Sequence, residues 1–271
     1  MSNDFTAGSL DNGVGFDQAK STAAGRKRLR PQGGLAAGFR GTQRIFGDPN
    51  TVELWDDFIG DVVADQWNSL AGTDTLPPAA AILAGGIGGL LRFTTGNDGT
   101  GLAADSIQYT QALQWQASNG GLAIEGRFKL SAITTCYVFF GFTDLATSLE
   151  APIMSASSAD TFTTNASDAV GFMFDTRMST DTWWLTGVKA DTDATMINTG
   201  SAPVADTFAV FRIEVDAAGV ATFFYNGASV GRMTAAITAA TDLTPTLYVS
   251  KTSVAASMTL DLDYVNVSMV R

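Results

Sequence analysis

Five consecutive pieces of this chain decide how it folds: Phe208-Ala-Val-Phe-Arg-Ile-Glu-Val215, Asp216-Ala-Ala-Gly219, Val220-Ala-Thr-Phe-Phe-Tyr225, Asn226-Gly227 and Ala228-Ser-Val-Gly-Arg-Met233. In the first, Phe211, Ile213 and Val215 alternate with Arg212 and Glu214, the two-residue period of a strand with one face in a core. Asn226-Gly227 between apolar runs signals a hairpin, because a type I′ turn needs positive φ at both central residues. Asp-x-x-Gly supplies the preceding turn, with Gly219 free to take the left-handed conformation. The stretch is expected to be a three-stranded antiparallel meander in the middle of a sheet.

Outward from the meander the same period recurs. In Leu122–Leu130, Leu122, Ile124, Phe128 and Leu130 face one way while Glu125, Arg127 and Lys129 face the other. Tyr137–Phe142 is apolar on both faces and predicts a central strand. Further strands are expected at Leu90–Thr94, Ser106–Leu113, Val170–Asp175, Trp183–Lys189 and Leu247–Ser250. The last run, Met258–Met269, holds two phases. Met258, Leu260, Leu262 and Tyr264 share one and Val265, Val267 and Met269 the other, so a β-bulge near Tyr264 and Val265 is expected. Residues 144–168, rich in Ser, Thr and Ala, read as a surface excursion, where function or subunit contact often resides. Roughly ten to fourteen strands without a convincing helix predict an all-β sandwich or jelly roll over residues 50–271.

Composition narrows the chemistry. A hydrophobic content of 45% with 17 Phe is enough for a sizeable core, and 28 Gly with abundant Thr and Val favour strands. The chain has no histidine and a single cysteine. Ser-His-Asp and Cys-His triads are thereby excluded and tetrahedral zinc lacks ligands, so no metal or cofactor is expected. Cys136 lies in the apolar run Cys136–Phe140 and reads as a buried, inert thiol. The most apolar window, Leu76–Leu91, is too short for a membrane span and is broken by Pro77, Pro78 and glycines. The N-terminal Met-Ser-Asn-Asp-Phe-Thr lacks the apolar region of a signal peptide, so synthesis in a host cytoplasm without Sec export is expected.

Charge divides the chain. The first 50 residues hold seven Lys/Arg against four Asp, a net of +3, and the other 221 hold nine against 23 acids, a net of −14 within the total of −11. Lys20, Arg26, Lys27, Arg28, Arg30, Arg40 and Arg44 lie in a Gly- and Ala-rich stretch with no periodic apolar face. Residues 1–49 therefore read as an extended basic arm. Such an arm is a solvated tail, a nucleic-acid binder, or a tether ordered against a protein partner. Nucleic acid is disfavoured, since only Phe39 and Phe46 follow the basic cluster and the acidic body repels phosphate. The tether is favoured, with the seven cations supplying its electrostatic part and Phe39, Ile45 and Phe46 its apolar part.

The order of the strand motifs resembles the concanavalin A-like, or laminin-G-like, jelly-roll superfamily. The residues that carry the likeness are Trp55-Asp-Asp-Phe58 with Trp67, Ile124-Glu-Gly-Arg-Phe128, Val138-Phe-Phe-Gly-Phe142, Phe211-Arg-Ile-Glu-Val-Asp216 with Gly219, Phe224-Tyr-Asn-Gly227 and Leu260-Asp-Leu-Asp-Tyr-Val265. It implies a concanavalin A-like jelly-roll β-sandwich preceded by an extended N-terminal arm. With that arm, the chain also resembles virion proteins of tailed bacteriophages, in particular capsid decoration (cement) proteins. The second likeness implies a non-enzymatic structural protein on the capsid surface. Its partners would be the major capsid protein or other virion subunits, and it would form a homo-oligomer, with a trimer as the expected closed symmetry.

The alternative is a carbohydrate-binding or host-recognition module of a virion, with Trp115, Trp183 and Trp184 as candidate glycan platforms. The adjacent pair Trp183-Trp184 sends its rings to opposite faces of one strand, one into the core and the other outward or at a contact, and for these and Trp115 packing in a core or interface is favoured over a platform. Glycosidases of the superfamily carry Glu-x-Asp-x-(x)-Glu on one strand face, and no such triplet occurs here. Asp261 and Asp263 share a face and are expected to point to solvent. Asp191-Thr-Asp193 and Asn97-Asp98 have too few acids for a calcium loop.

Overall fold

A computed structural model describes residues 50–270 apart from 61–62, 64, 84–87, 98–103, 156–160 and 253–256. The basic arm and its candidate partner-binding residues lie outside the described residues. The strands run in chain order as β1 (Thr51–Asp56), β2 (Asn68–Ala71), β3 (Ala79–Ile82), β4 (Leu91–Thr94), β5 (Ile107–Thr110), β6 (Leu122–Leu130), β7 (Cys136–Thr143), β8 (Ile153–Ser155) and β9 (Phe162–Thr164). Then follow β10 (Ala169–Asp175), β11 (Trp184–Lys189), β12 (Thr192–Asp193), β13 (Ile197–Asn198), β14 (Ala209–Val215), β15 (Ala221–Tyr225), β16 (Ala228–Met233), β17 (Thr244–Lys251) and β18 (Thr259–Val270). The single described helical piece is a 3-10 turn at Ala117–Asn119.

Two eight-stranded antiparallel sheets form the sandwich. The first runs β16-β15-β14-β6-β18-β4-β3 with β1 also against β18, and the second β12-β11-β10-β7-β17-β5-β2 with β13 against β11. The meander is present as expected, with Asn226 and Gly227 at φ 50° and 81° in its hairpin turn. It occupies one edge of the first sheet rather than the middle, because among the described residues β16 has no neighbour beyond β15. The bulge in β18 falls at Asp263, between Leu262 and Tyr264. It returns Val265 and Val267 to the core and turns Tyr264 outward, out of the phase the sequence suggested.

The core between the sheets is aromatic. Phe128 and Phe211 stack at 4.3 Å and 10°, and Trp183, Phe140 and Phe172 meet them at steep angles. Edge-on and offset contacts of this kind are each worth about 0.5–1.5 kcal/mol beyond area burial. The opening motif is explained by one carboxylate. Asp56 accepts from the Phe58 backbone N–H and from Trp67 Nε1, both at 2.9 Å, stapling the end of β1 to a Trp67 ring that stacks on Tyr109. Strands β7, β10 and β17 are buried along their whole length, on both faces. A sheet covered on both sides reads as an unbroken apolar run, which is why Tyr137–Phe142 showed no alternation.

The cover over the second sheet's outer face comes from 144–168. Far from a bare surface loop, this excursion contains the β8–β9 hairpin and lays Ala151, Ile153 and Ala166 over Tyr137, Phe139, Met173, Trp184 and Tyr248. The Tyr137 hydroxyl donates to the Ile153 carbonyl, fastening the hairpin to the sheet. At the neck, the Asp144 N–H donates to the Asp168 carbonyl and the Ser167 N–H to Asp144 Oδ2. Burial, with a smaller push from Asp168, holds the Asp144 carboxyl above its ordinary range although its backbone hydrogen bonds oppose the shift.

Candidate functional site

Among the described residues no strand or excursion packs over the outer face of the first sheet, and strand alternation decides what it shows. In β6 the core takes Leu122, Ile124, Phe128 and Leu130, which leaves Glu125, Arg127 and Lys129 outside, as their period predicts. In β1 the exposed phase is Thr51, Glu53 and Trp55. Cross-strand pairing aligns Trp55, Asn266, Glu125, Arg212 and Phe224 as successive partners on β1, β18, β6, β14 and β15. At the usual strand spacing this row is about 19 Å long.

Four of the five members of the row, Trp55, Glu125, Arg212 and Phe224, are held by a neighbour. Trp55, 42% exposed, stacks on Tyr264 at 5.0 Å and 15°. The Tyr264 hydroxyl donates to Glu125 Oε1 at 2.8 Å. Burial and this carboxylate push the Tyr264 phenol well above its ordinary range, so it stays a donor. Arg212 lies 5.2 Å over the Phe224 ring and pairs with Glu214. Asn266 Oδ1 is shielded from solvent and makes no hydrogen bond. One turn of the pleat away, Arg127 pairs with Asp263 at 2.6 Å while lying 4.3 Å over Phe208.

Asp261 does not face solvent. It is 3% exposed and accepts from Arg92 Nε at 2.7 Å and Nη2 at 2.8 Å, with Lys129 at 3.5 Å. Burial alone would raise its pKa, but the Arg92 fork and Lys129 outweigh it and hold the carboxyl below the usual range. The expectation failed because Arg92, 169 residues away in sequence, arrives only when β4 pairs with β18.

The tryptophans singled out by sequence are not platforms. Trp115 is 2% exposed and donates to Gln111 Oε1 at 3.0 Å. Trp183 and Trp184 do point to opposite faces, yet both are buried, Trp183 in the aromatic core and Trp184 beneath the 144–168 excursion. Trp184 takes the second of its two expected settings, a contact, because that excursion covers it. The exposed indole is Trp55, which its phase with Glu53 in Thr51–Asp56 would have revealed. Cys136 is fully buried, and burial with Asp175 and Asp181 nearby pushes its thiol up to about 12. Among the described residues no group of three or more Cys, Asp or Glu is placed to hold a metal ion.

No family model and no curated protein matches this sequence. Solved structures do match. The chain is similar to the carbohydrate recognition domain of Emp47p at a TM-score of 0.54, with 9% identity over 82% of this chain and 97% of that one. It is similar to the catalytic domain of an endo-1,3-beta-glucanase (laminarinase) from Thermotoga petrophila RKU-1 at 0.54, with 12% identity over 80% and 97%. A Bacillus licheniformis beta-glucanase matches at 0.52, with 11% identity over 81% and 98%. At such identities the likeness concerns fold and leaves chemistry to the residues. The two stacked sheets, their strand order and these neighbours together make the sandwich a concanavalin A-like jelly roll.

Proposed function

We propose that the sandwich is a non-enzymatic carbohydrate-recognition domain whose binding face is the outer face of the first sheet. The observation that carries this is the exposed Trp55 ring, backed by Tyr264 and in register with Asn266, Glu125 and Arg212. A sugar ring has an apolar C–H face and a rim of hydroxyls. An indole meets the first, while a carboxylate, an amide and a guanidinium at strand spacing meet the second. Sugar-directed neighbours of the same fold support the reading.

Catalysis fits this face poorly. A retaining glycosidase needs a nucleophile and an acid about 5 Å apart across an open groove. Here Asp261 and Asp263 are neutralised by arginines, and Glu125 accepts the Tyr264 hydroxyl. The test is a glycan array probed with the full chain and with Trp55→Ala. Binding should fall at least about tenfold in the variant, the loss expected of an aromatic anchor. Binding that survives the substitution, or no binding of any glycan by the parent, would overturn the proposal.

A second reading rests on the charge division. A basic arm ahead of an acidic body suits a virion structural protein in which Lys20–Arg44 clamps neighbouring capsid subunits and the sandwich faces outward. Deleting residues 1–49 tests it directly, since attachment to particles at full occupancy by the truncated chain would sink the clamp.

A further inference from the structure

At the β16 edge of the first sheet, β16 approaches β12 and β13 of the second, and a groove of about 610 Å³ lies there. Its chemistry differs from that of the rest of the body. Residues 51–271 carry a large excess of acids, and almost every described cation is matched to one. Arg92 and Lys129 meet Asp261, Arg127 meets Asp263, Arg177 meets Asp175, and Arg212 meets Glu214. Lys251 is buried beside Asp105 and Asp74. Among the described residues only Lys189 and Arg232 lack an ion pair, and both line this groove.

Two cations without an acidic partner in one cavity make it a local well for anions. Ala190 at φ 47° and Ala235 at φ 54° both line the groove in the left-handed region. Ala190 shares the two-residue β11–β12 hairpin turn with Asp191 at φ 61°, and Ala235 lies in the turn after β16, so these values belong to the turns that form the rim. The lining is also two-sided in character. Ile197 and Met233 offer an apolar wall, and Thr192, Thr195 and Thr234 offer hydroxyls. Asp193 also lines it and sets one negative charge against the two positive ones.

We propose that this groove binds a carboxylate-bearing saccharide, with Lys189 and Arg232 on the carboxylate, the threonines on ring hydroxyls and the apolar wall against a C–H face. The volume is that of an ordinary small-ligand site. The site lies at the far edge of the first sheet from Trp55, five strand steps or about 24 Å away. Failure here therefore leaves the Trp55 reading standing, and the reverse holds too.

The experiment titrates the full chain with a trigalacturonate, with a neutral hexose trisaccharide and with inorganic sulfate at fixed ionic strength, by calorimetry. The acidic trisaccharide should bind at least about tenfold more tightly than the neutral one, and weaken as salt rises from about 50 to about 500 mM. Lys189→Gln with Arg232→Gln should lower its affinity about tenfold or more, while Lys189→Arg with Arg232→Lys should keep it within about threefold. Both residues are exposed, and thermal midpoints of the variants confirm that the fold is intact. Equal affinity for the neutral sugar, unchanged binding by the glutamine variant, or sulfate bound as tightly as the trisaccharide would each overturn the proposal.

Discussion

Asp261→Asn isolates the strongest polar contact of the open face. The carboxylate is 3% exposed and takes a two-pronged Arg92 contact at 2.7 and 2.8 Å plus Lys129 at 3.5 Å. Asparagine keeps one acceptor and loses the charge. Removing one partner of a fully buried pair costs about 3–5 kcal/mol, because the other charge is stranded. Here the stranded groups can rehydrate, since the Arg92 and Lys129 side chains are 37% and 25% exposed. The expected loss is therefore smaller, about 2–3 kcal/mol. For a domain of this size that is a fall in thermal midpoint of about 4–10 °C.

The sign with pH follows from the depressed pKa of Asp261. A carboxyl held below its unfolded value of about 3.9 stabilises the fold above that pH and ceases to as pH falls through the folded value. The gap between parent and variant should be complete at neutral pH and close in acid. Circular dichroism melts at about pH 7 and about pH 2.5 measure both ends, with Asp263→Asn as the comparison. Asp263 is more exposed and has one arginine contact, so it should cost within about 1 kcal/mol. A gap for Asp261→Asn below about 2 °C at pH 7, or one of full size in acid, refutes the reasoning.

Two further changes probe the second sheet. A Cβ at Gly141 would sit 2.0 Å from the Val170 carbonyl oxygen and 2.6 Å from Gly171 Cα, both main chain. Gly141→Ala should thus force β7 from β10 and cost about 3 kcal/mol or more in urea unfolding, whereas Gly227→Ala, which meets nothing but must hold φ +81°, should cost about 1 kcal/mol. Equal costs would contradict this. Asp144→Asn should stabilise at neutral pH by about 1 kcal/mol, because it removes a charge that burial and Asp168 disfavour. The parent's raised pKa means its own stability declines as pH rises from the ordinary carboxylate range through the folded value, so the variant's advantage should grow over that rise, and an advantage that is flat with pH would exclude the titration of Asp144 as its cause.

Legibility in the sequence followed how many faces a strand has covered. Leu122–Leu130 and the meander have one face in the core and one in solvent, and their period identified them almost to the residue. Edge strands such as Asn68–Ala71 and Ala79–Ile82 pair on one side only, hold few large apolar residues and stayed hidden in a Pro/Ala/Gly-rich link. The 144–168 excursion was read as a bare loop because Leu145, Leu149, Ile153 and Phe162 are spaced too widely among Ser and Thr to show a period. That miss left open whether Trp184 faced solvent or a contact, since local pattern cannot say which distant segment lies over a face. Trp55 was quoted as part of a motif, although its phase with Glu53 already placed it outside.

The pairing of β1 with β18 sets Thr51 directly across from Val270. The sandwich thus begins and ends at one spot on one rim, like a bead with both threads leaving the same hole. A short linker could join the two strands and the chain could be reopened at the Asn226-Gly227 turn, giving a circular permutant with every ladder preserved. The same geometry lets the module be spliced into a surface loop of another protein without stretching its host, so the sandwich is portable as one cassette.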